Sequence, residues 1–285
     1  RFGITVEDLA VGVDGLLPIR VQRTYDSFDK TVGDFGVGWR LELANFRVRS
    51  NGPLGEGGWT MFGCGGGLIF VPLCFESDRP HYVTVTWPDG RVETFDLTPA
   101  QGSSFLPGLT QARFTARPGT TSTLEAVDNG LYWSGDGNLY GGLFGSSGLY
   151  DPTRFRLTDR LGTEYVLEVG RGLLSARDRN GNTLTITANG VQSTLGPGVV
   201  FERDALGRIE AIIGPEGESI EYGYDATGDL VSVTDETNNL TTLEYVPGHY
   251  LDRIVDPLGR PFQILEYDAE GRLEAVVDSA GRRVE

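Results

Sequence analysis

The chain has 285 residues, with 24 Lys and Arg against 40 Asp and Glu, a formal charge of −16, and 39% hydrophobic residues. That length and apolar content can bury roughly 70 to 75% of the unfolded surface in one large or two ordinary domains, while the acidity argues against nucleic acid or anionic membrane as the main partner. No run of 18 apolar residues provides a membrane helix, and Gly (41) and Pro (14) are abundant enough to demand frequent turns.

The sequence opens on Arg1 without a charged-then-apolar leader pattern, and is read as a piece of a longer or processed polypeptide. Helical periodicity is almost missing: Gly or Pro interrupts each 12-residue window before a 3.6-residue apolar pattern develops. Short alternating runs recur instead, at 18–21, 82–87, 91–97, 165–169 and 183–187, and predict an all-β chain. If Gly65, Gly66 and Gly67 form a hairpin turn, Cys64 lies beside it and Cys74 lies about six residues up the returning strand, ~20 Å away. That predicts two free thiols, with a bridge through a different turn as the alternative, so cysteine usage does not fix a compartment. The glycine-rich stretches 63–67 and 141–148 lack the Lys-Ser/Thr and following helix of a phosphate loop and predict tight strand connections.

The C-terminal half repeats itself. Tyr224, Tyr245 and Tyr267 stand 21 and 22 residues apart; Asp225 and Asp268 follow the first and third. Ile209, Leu230, Leu251 and Leu273 keep the same period, as do Gly214, Asp235, Asp256 and Asp278, followed three residues on by Gly217, Asn238, Gly259 and Gly281. The unit reads Tyr-Asp-x-x-Gly-Arg-Leu, a strand, Asp-x-x-Gly, and a second strand, with weaker copies at Asp159/Gly162 and Asp178/Gly181. In such a turn the Asp is expected to accept N–H groups two or three residues on, with Gly taking φ > 0. Each unit is thus a hairpin, and hairpins must stack edge to edge into one continuous sheet. Simple alternation puts Leu251, Arg253 and Val255 on one face and Asp252 and Ile254 on the other. Both faces then mix apolar with charged residues, as in a curved wall with solvent or a partner on each side.

The segments Tyr224-Asp225-Ala226-Thr227-Gly228-Asp229-Leu230 and Tyr267-Asp268-Ala269-Glu270-Gly271-Arg272-Leu273 resemble YD repeats of the rearrangement-hot-spot (Rhs) family, which includes C components of insecticidal toxin complexes, bacterial polymorphic toxins and teneurins. A second match, Asp14-Gly15-Leu16-Leu17-Pro18-Ile19-Arg20-Val21-Gln22-Arg23-Thr24-Tyr25-Asp26 followed by Asp34-Phe35-Gly36-Val37-Gly38-Trp39, is similar to the segment that enters the repeats in that family. Its marker residues are Pro18, Arg23, Tyr25, Phe35, Gly36, Gly38 and Trp39; those of the repeats are Tyr224, Asp225, Gly228, Leu230, Asp235, Tyr245, Asp256, Gly259, Tyr267, Asp268, Gly271, Leu273, Asp278 and Gly281. The resemblance implies YD hairpins stacked into a spiral sheet, part of a hollow β-cocoon that encloses a C-terminal toxin in a secreted or cell-surface protein. It divides the chain into an entry segment 1–60, irregular hairpins with a Gly/Ser-rich insert 61–150, and repeats 151–285. The family's self-cleavage core and toxin domain are not found, and the chain stops within a repeat at Glu285.

No catalytic, cofactor-binding or metal-binding residue is assigned. His81 and His249 read as partly exposed sheet or turn histidines. Most regularly spaced carboxylates read as turn residues; spacing alone carries no information on whether two others form a glycosidase pair. Asp178-Arg179-Asn180-Gly181-Asn182 lacks the sixth-position Gly and closing Glu of an EF-hand and fits the repeat turn. Tyr224, Tyr245 and Tyr267 predict an aromatic ladder across strands, with a sugar-binding row as the alternative; Trp39, Trp59, Trp87 and Trp133 predict core. The expected partners are further repeats and the cargo of the same polypeptide, a basic toxin drawn to acidic walls, and, on the adhesion reading, glycans. An unpaired edge at the last strand predicts association of the isolated chain.

Overall fold

The turn sets the geometry of the repeat. The computed structural model describes residues 2–12, 18–43, 46–65, 71–196, 198–268 and 271–284. In it the Asp225 N–H donates to the Asp229 carbonyl, the Gly228 N–H donates to the Asp225 carbonyl, and Asp225 Oδ1 accepts the N–H groups of Thr227 and Asp229, each at 2.9 Å. Gly228 sits at φ +94°, where a side chain would be strained. Asp159, Asp178, Asp204, Asp235, Asp256 and Asp278 repeat the pattern. The carboxylate therefore clamps residues two and four along, not two and three. That geometry also accounts for the arginines: Arg208, Arg260, Arg272 and Arg282 stand four residues on and donate Nε to the second carboxylate oxygen at 2.6–2.8 Å. An ammonium lacks this directed N–H.

These turns join fifteen strands into one antiparallel order, from Thr123–Ala126 to Arg283–Val284, and from Arg154–Thr158 onward sheet neighbours are also sequence neighbours. The only helical element among the described residues is a 3-10 turn at Leu143–Gly145. At one phase of every unit the ladder carries a β-bulge: Arg203 pairs with Ile209, Tyr224 with Leu230, Tyr245 with Leu251 and Tyr267 with Leu273, while the preceding residue of each pairs two positions further on; a further register shift, between Ile254 and Val255, falls outside that phase. The residues left over, Glu210, Val231, Asp252 and Glu274, share the period of the repeat. A bulge shifts the alternation by one. Ile209 and Ile212, Leu230 and Val233, and Leu251 and Ile254 are consequently all buried, at a spacing of three. The mixed faces expected from simple alternation resolve into one apolar face, correcting the reading of a wall with solvent or a partner on each side.

Two compact units share the chain. In the first, Arg1–Leu43 with Ile186–Glu285, the entry strands Gly3–Val11, Ile19–Asp26 and Trp39–Leu43 form a three-stranded antiparallel sheet. The connection between its last two strands packs on the apolar repeat face: Phe35 is fully buried with its ring 4.8 Å from that of Tyr222.

The second unit, Ala44–Thr185, holds the four-stranded order Phe114–Ala116, Val92–Leu97, Tyr82–Thr86, Arg47–Ser50, a three-stranded sheet, a hairpin and the first strands of the long ladder. Phe46, Trp87 and Tyr165 pack ring on ring at 5.2–5.4 Å. Beside them the fully buried Glu93 carboxylate accepts Trp87 Nε1 and the N–H and hydroxyl of Thr121. Burial opposes its charge, but these donors hold its pKa below the ordinary glutamate value.

The cysteine expectation is overturned. Cys64 and Cys74 form a disulfide with Cα atoms 5.7 Å apart. Strands Trp59–Gly63 and Leu73–Ser77 pair Phe62 with Cys74, and the Cys64 N–H reaches the Pro72 carbonyl, so the hairpin is longer than a turn at 65–67 would make it. Cys64 thus faces Pro72 and lies diagonal to Cys74, within bridging distance. Gly66 and Gly67 of the expected turn lie outside the described residues.

Candidate functional site

The marker residues of the entry segment meet those of the repeats along a polar seam within the first unit. Tyr25, fully buried, donates its hydroxyl to the His249 carbonyl at 2.9 Å and accepts the Leu251 N–H at 3.0 Å. Burial pushes its pKa up to about 12, so it remains a donor at physiological pH. Trp39 donates Nε1 to the Tyr245 hydroxyl, which donates in turn to the Leu230 carbonyl, both at 2.9 Å. Gly36 lies so close to the Gly228 carbonyl and the Tyr224 ring that a β-carbon has no room, and the adjacent Val37 N–H donates to that carbonyl. Gly38 abuts the Tyr25 ring in the same way. Pro18 is exposed just ahead of Ile19; Asp14, Gly15, Leu16 and Leu17 lie outside the described residues, as do Ala269 and Glu270 of the last repeat.

Arg23 serves a charged anchor. Its Nε pairs with Asp8 at 2.9 Å, with both side chains buried, and the Tyr222 hydroxyl donates to the same carboxylate at 2.8 Å. Burial raises the Asp8 pKa despite the neighbouring guanidinium and the two hydrogen-bond donors. Deleting one partner would leave the other buried and unpaired, the costly case for an internal ion pair. Arg203 takes the tyrosine position of the earliest full unit and donates to Asp34 at 2.7 Å, whose carbonyl receives the Ile209 N–H.

The tyrosine column is not a stack. No ring contact joins Tyr224, Tyr245 and Tyr267 among the described residues. Tyr224 instead donates to the Ile209 carbonyl as Tyr245 does to that of Leu230, each reaching the start of the preceding unit. The corresponding position before Tyr267 is Leu251, whose N–H, not its carbonyl, goes to the Tyr25 hydroxyl. The buried Tyr267 hydroxyl makes no such carbonyl bond and lies beside Tyr25.

Sequence reading passed over Asp8 and Tyr222, gave Asp34 and Asp229 no marked role, and misjudged His81, while His249 is the half-buried turn histidine expected. His81 is buried against Trp59 with ring centroids 4.9 Å apart, and desolvation lowers its pKa. His249 occupies a turn at φ +61°, its Nδ1 2.9 Å from the buried Asp229 carboxylate. Lys30, the sole lysine, donates to the His249 carbonyl and lies 3.5 Å over the Tyr250 ring. Trp39, Trp59 and Trp87 are buried and Trp133 half-buried. Chemically the seam holds two parts of the chain together, since its principal donors and acceptors are spent on one another. Among the described residues no three His, Cys, Asp or Glu gather as metal ligands.

Residues 203–240, which include the Asp204, Asp225 and Asp235 turns and two bulges, match the RHS Repeat family. Those residues carry an RHS repeat. Among solved structures, the chain is similar to a Tc holotoxin pore of Photorhabdus luminescens carrying a TccC3 mutation, at 17% identity over 72% of this chain and 12% of that one, with TM-score 0.22. It is also similar to the N-terminal domain of effector protein SpvB from Salmonella typhimurium strain LT2, at 10% identity over 98% and 99% of the two chains, with TM-score 0.23. The chain thus spans about an eighth of the Tc chain it matches.

Proposed function

We propose that this RHS-repeat chain is a non-enzymatic wall segment of a shell that encloses a toxin or effector carried further along the same polypeptide. The observation that carries the reading is the bulge repeated once per unit at Glu210, Val231, Asp252 and Glu274. A bulge bends and further twists its strand, so the same bulge at the same phase bends successive hairpins in one sense, as a wound wall requires. The entry segment closes the apolar face of the first windings. The formal charge of −16 favours a basic cargo, and the Cys64–Cys74 disulfide fits assembly or residence in an oxidising, secretory setting. A glycan-binding row would need exposed tyrosine faces, whereas Tyr224 and Tyr245 are half-buried and spend their hydroxyls on carbonyls.

The test is protease protection of the natural full-length polypeptide. Sequence beyond the repeats should resist digestion while the shell is folded and become cleavable when it is unfolded. Equal cleavage in both states would overturn the reading.

A further inference from the structure

In the second unit the strand Leu73–Ser77 ends at a short turn that brings the chain back at His81. Ser77 Oγ lies 3.0 Å from His81 Nε2 and accepts the Arg79 N–H at 3.3 Å, so its own proton is directed at the imidazole. Two further contacts orient the ring. It stacks on Trp59 with centroids 4.9 Å apart at 22°, and the Gly57 carbonyl favours a ring N–H. With that proton on Nδ1, Nε2 is the acceptor that a serine nucleophile requires. Desolvation lowers the imidazole pKa, against the Gly57 carbonyl, and of the charges facing the ring Arg79 lowers it while Asp78 and Glu56 raise it. The ring is therefore a neutral base at physiological pH.

Both groups line one cavity of about 330 Å³, at the lower end of the range for small-molecule sites. Trp59, Phe75, Leu97 and Pro99 give it apolar walls and Arg79 brings a cation; of its carboxylates, Glu76 and Asp96, the latter is paired with Arg117. We infer that Ser77 is an acyl-acceptor nucleophile, with His81 as its base, for short apolar acyl esters that enter this cavity. Oγ bonds to the ester carbonyl carbon while its proton passes to His81 Nε2. The bond from that carbon to the alkoxide oxygen then breaks, and the alcohol leaves with the proton. One such acylation marks the wall without turnover, so the inference goes beyond the wall reading and does not depend on it.

Reaction of the 285-residue chain with p-nitrophenyl acetate, followed by p-nitrophenolate release and located by peptide mass spectrometry, tests the inference. The expected result is acetyl on Ser77, gained about a hundredfold faster than on any other hydroxyl, at a rate that levels off once the imidazole is neutral. Ser77→Ala should abolish this fast phase and Ser77→Cys should retain it. His81→Gln should slow it about a hundredfold; the pH profile is read on the wild type, so it tests the base even if that variant unfolds. A rate that keeps rising with hydroxide through the alkaline range, acetyl spread evenly over several residues, or a fast phase that survives Ser77→Ala would overturn the inference.

Discussion

The backbone of each repeat turn is held by one carboxylate. Asp178, Asp204, Asp235, Asp256 and Asp278 each offer Oδ1 to two backbone donors and Oδ2 to the side chain four residues on; at Asp235 the donors are Thr237, Asn239 and the Asn239 amide. These bonds, led by the Asn239 amide, lower its pKa to about 2, below the ~3.9 of an unfolded chain. The contribution to stability is therefore complete above about pH 4 and is lost as pH falls toward 2. Asp204, Asp225, Asp256 and Asp278 are shifted in the same direction. Thermal melts should decline gently from pH 7 to 5, where the unfolded chain protonates His81 before the buried imidazole does, and fall steeply below 4, and Asp235→Asn should flatten that acid limb. Gly214 is the exception that tests the rule. Its turn is closed from the other end, by Glu218 reaching back to the Glu216 N–H over the space a side chain at Gly214 would fill. Gly214→Asp alone should cost about 1 to 3 kcal/mol, and adding Glu218→Arg should restore stability by recreating the Asp-Arg clamp; equal melts for the single and double variants would refute this.

At the scale of the strand, the repeat is a turn, a bulge and a tyrosine held in one phase. The bulge sets the tyrosine opposite the leucine of its own unit, and the hydroxyl then reaches back to the unit before. Tyr245→Phe would strip the Leu230 carbonyl of its donor and the Trp39 indole of its acceptor, at a cost of about 1 to 3 kcal/mol measurable by denaturant unfolding; Tyr224→Phe should cost less, since no indole depends on it. The period made the turns and the hairpin order legible in the sequence, because Asp and Gly carry their conformational preferences locally. The bulge was hidden. Asp252 and Val231 have nothing in common chemically, and their role follows from pairing across the ladder. The disulfide was missed for a related reason, since three glycines suggested a turn nearer to Cys64 than the true one.

Taken whole, each unit is held by contacts its local sequence does not announce. The entry markers Arg23, Tyr25, Phe35 and Trp39 were recognisable as a pattern, but their partners Asp8, Tyr222, Tyr245 and Leu251 could be named only once folded. Phe35→Ala should destabilise the first unit by about 3 to 5 kcal/mol, because removing a fully buried ring packed against Tyr222 leaves a cavity. A loss below 1 kcal/mol by calorimetry would mean that the entry sheet is not integral to the repeat core.

Tyr25 and Leu251 are separated by 226 residues. At ordinary ribosomal speeds the interval between their syntheses is roughly 10 to 45 s, far longer than local hairpins need to form. Ile209 and Tyr222 emerge earlier and can cover Asp34 and Phe35 first, while Tyr25 and Trp39 wait longest for their partners Leu251 and Tyr245. Folding of this protein is thus timed from its C-terminal side: the YD hairpins can zip one by one as they emerge, but the first unit locks only when the loop at His249 arrives.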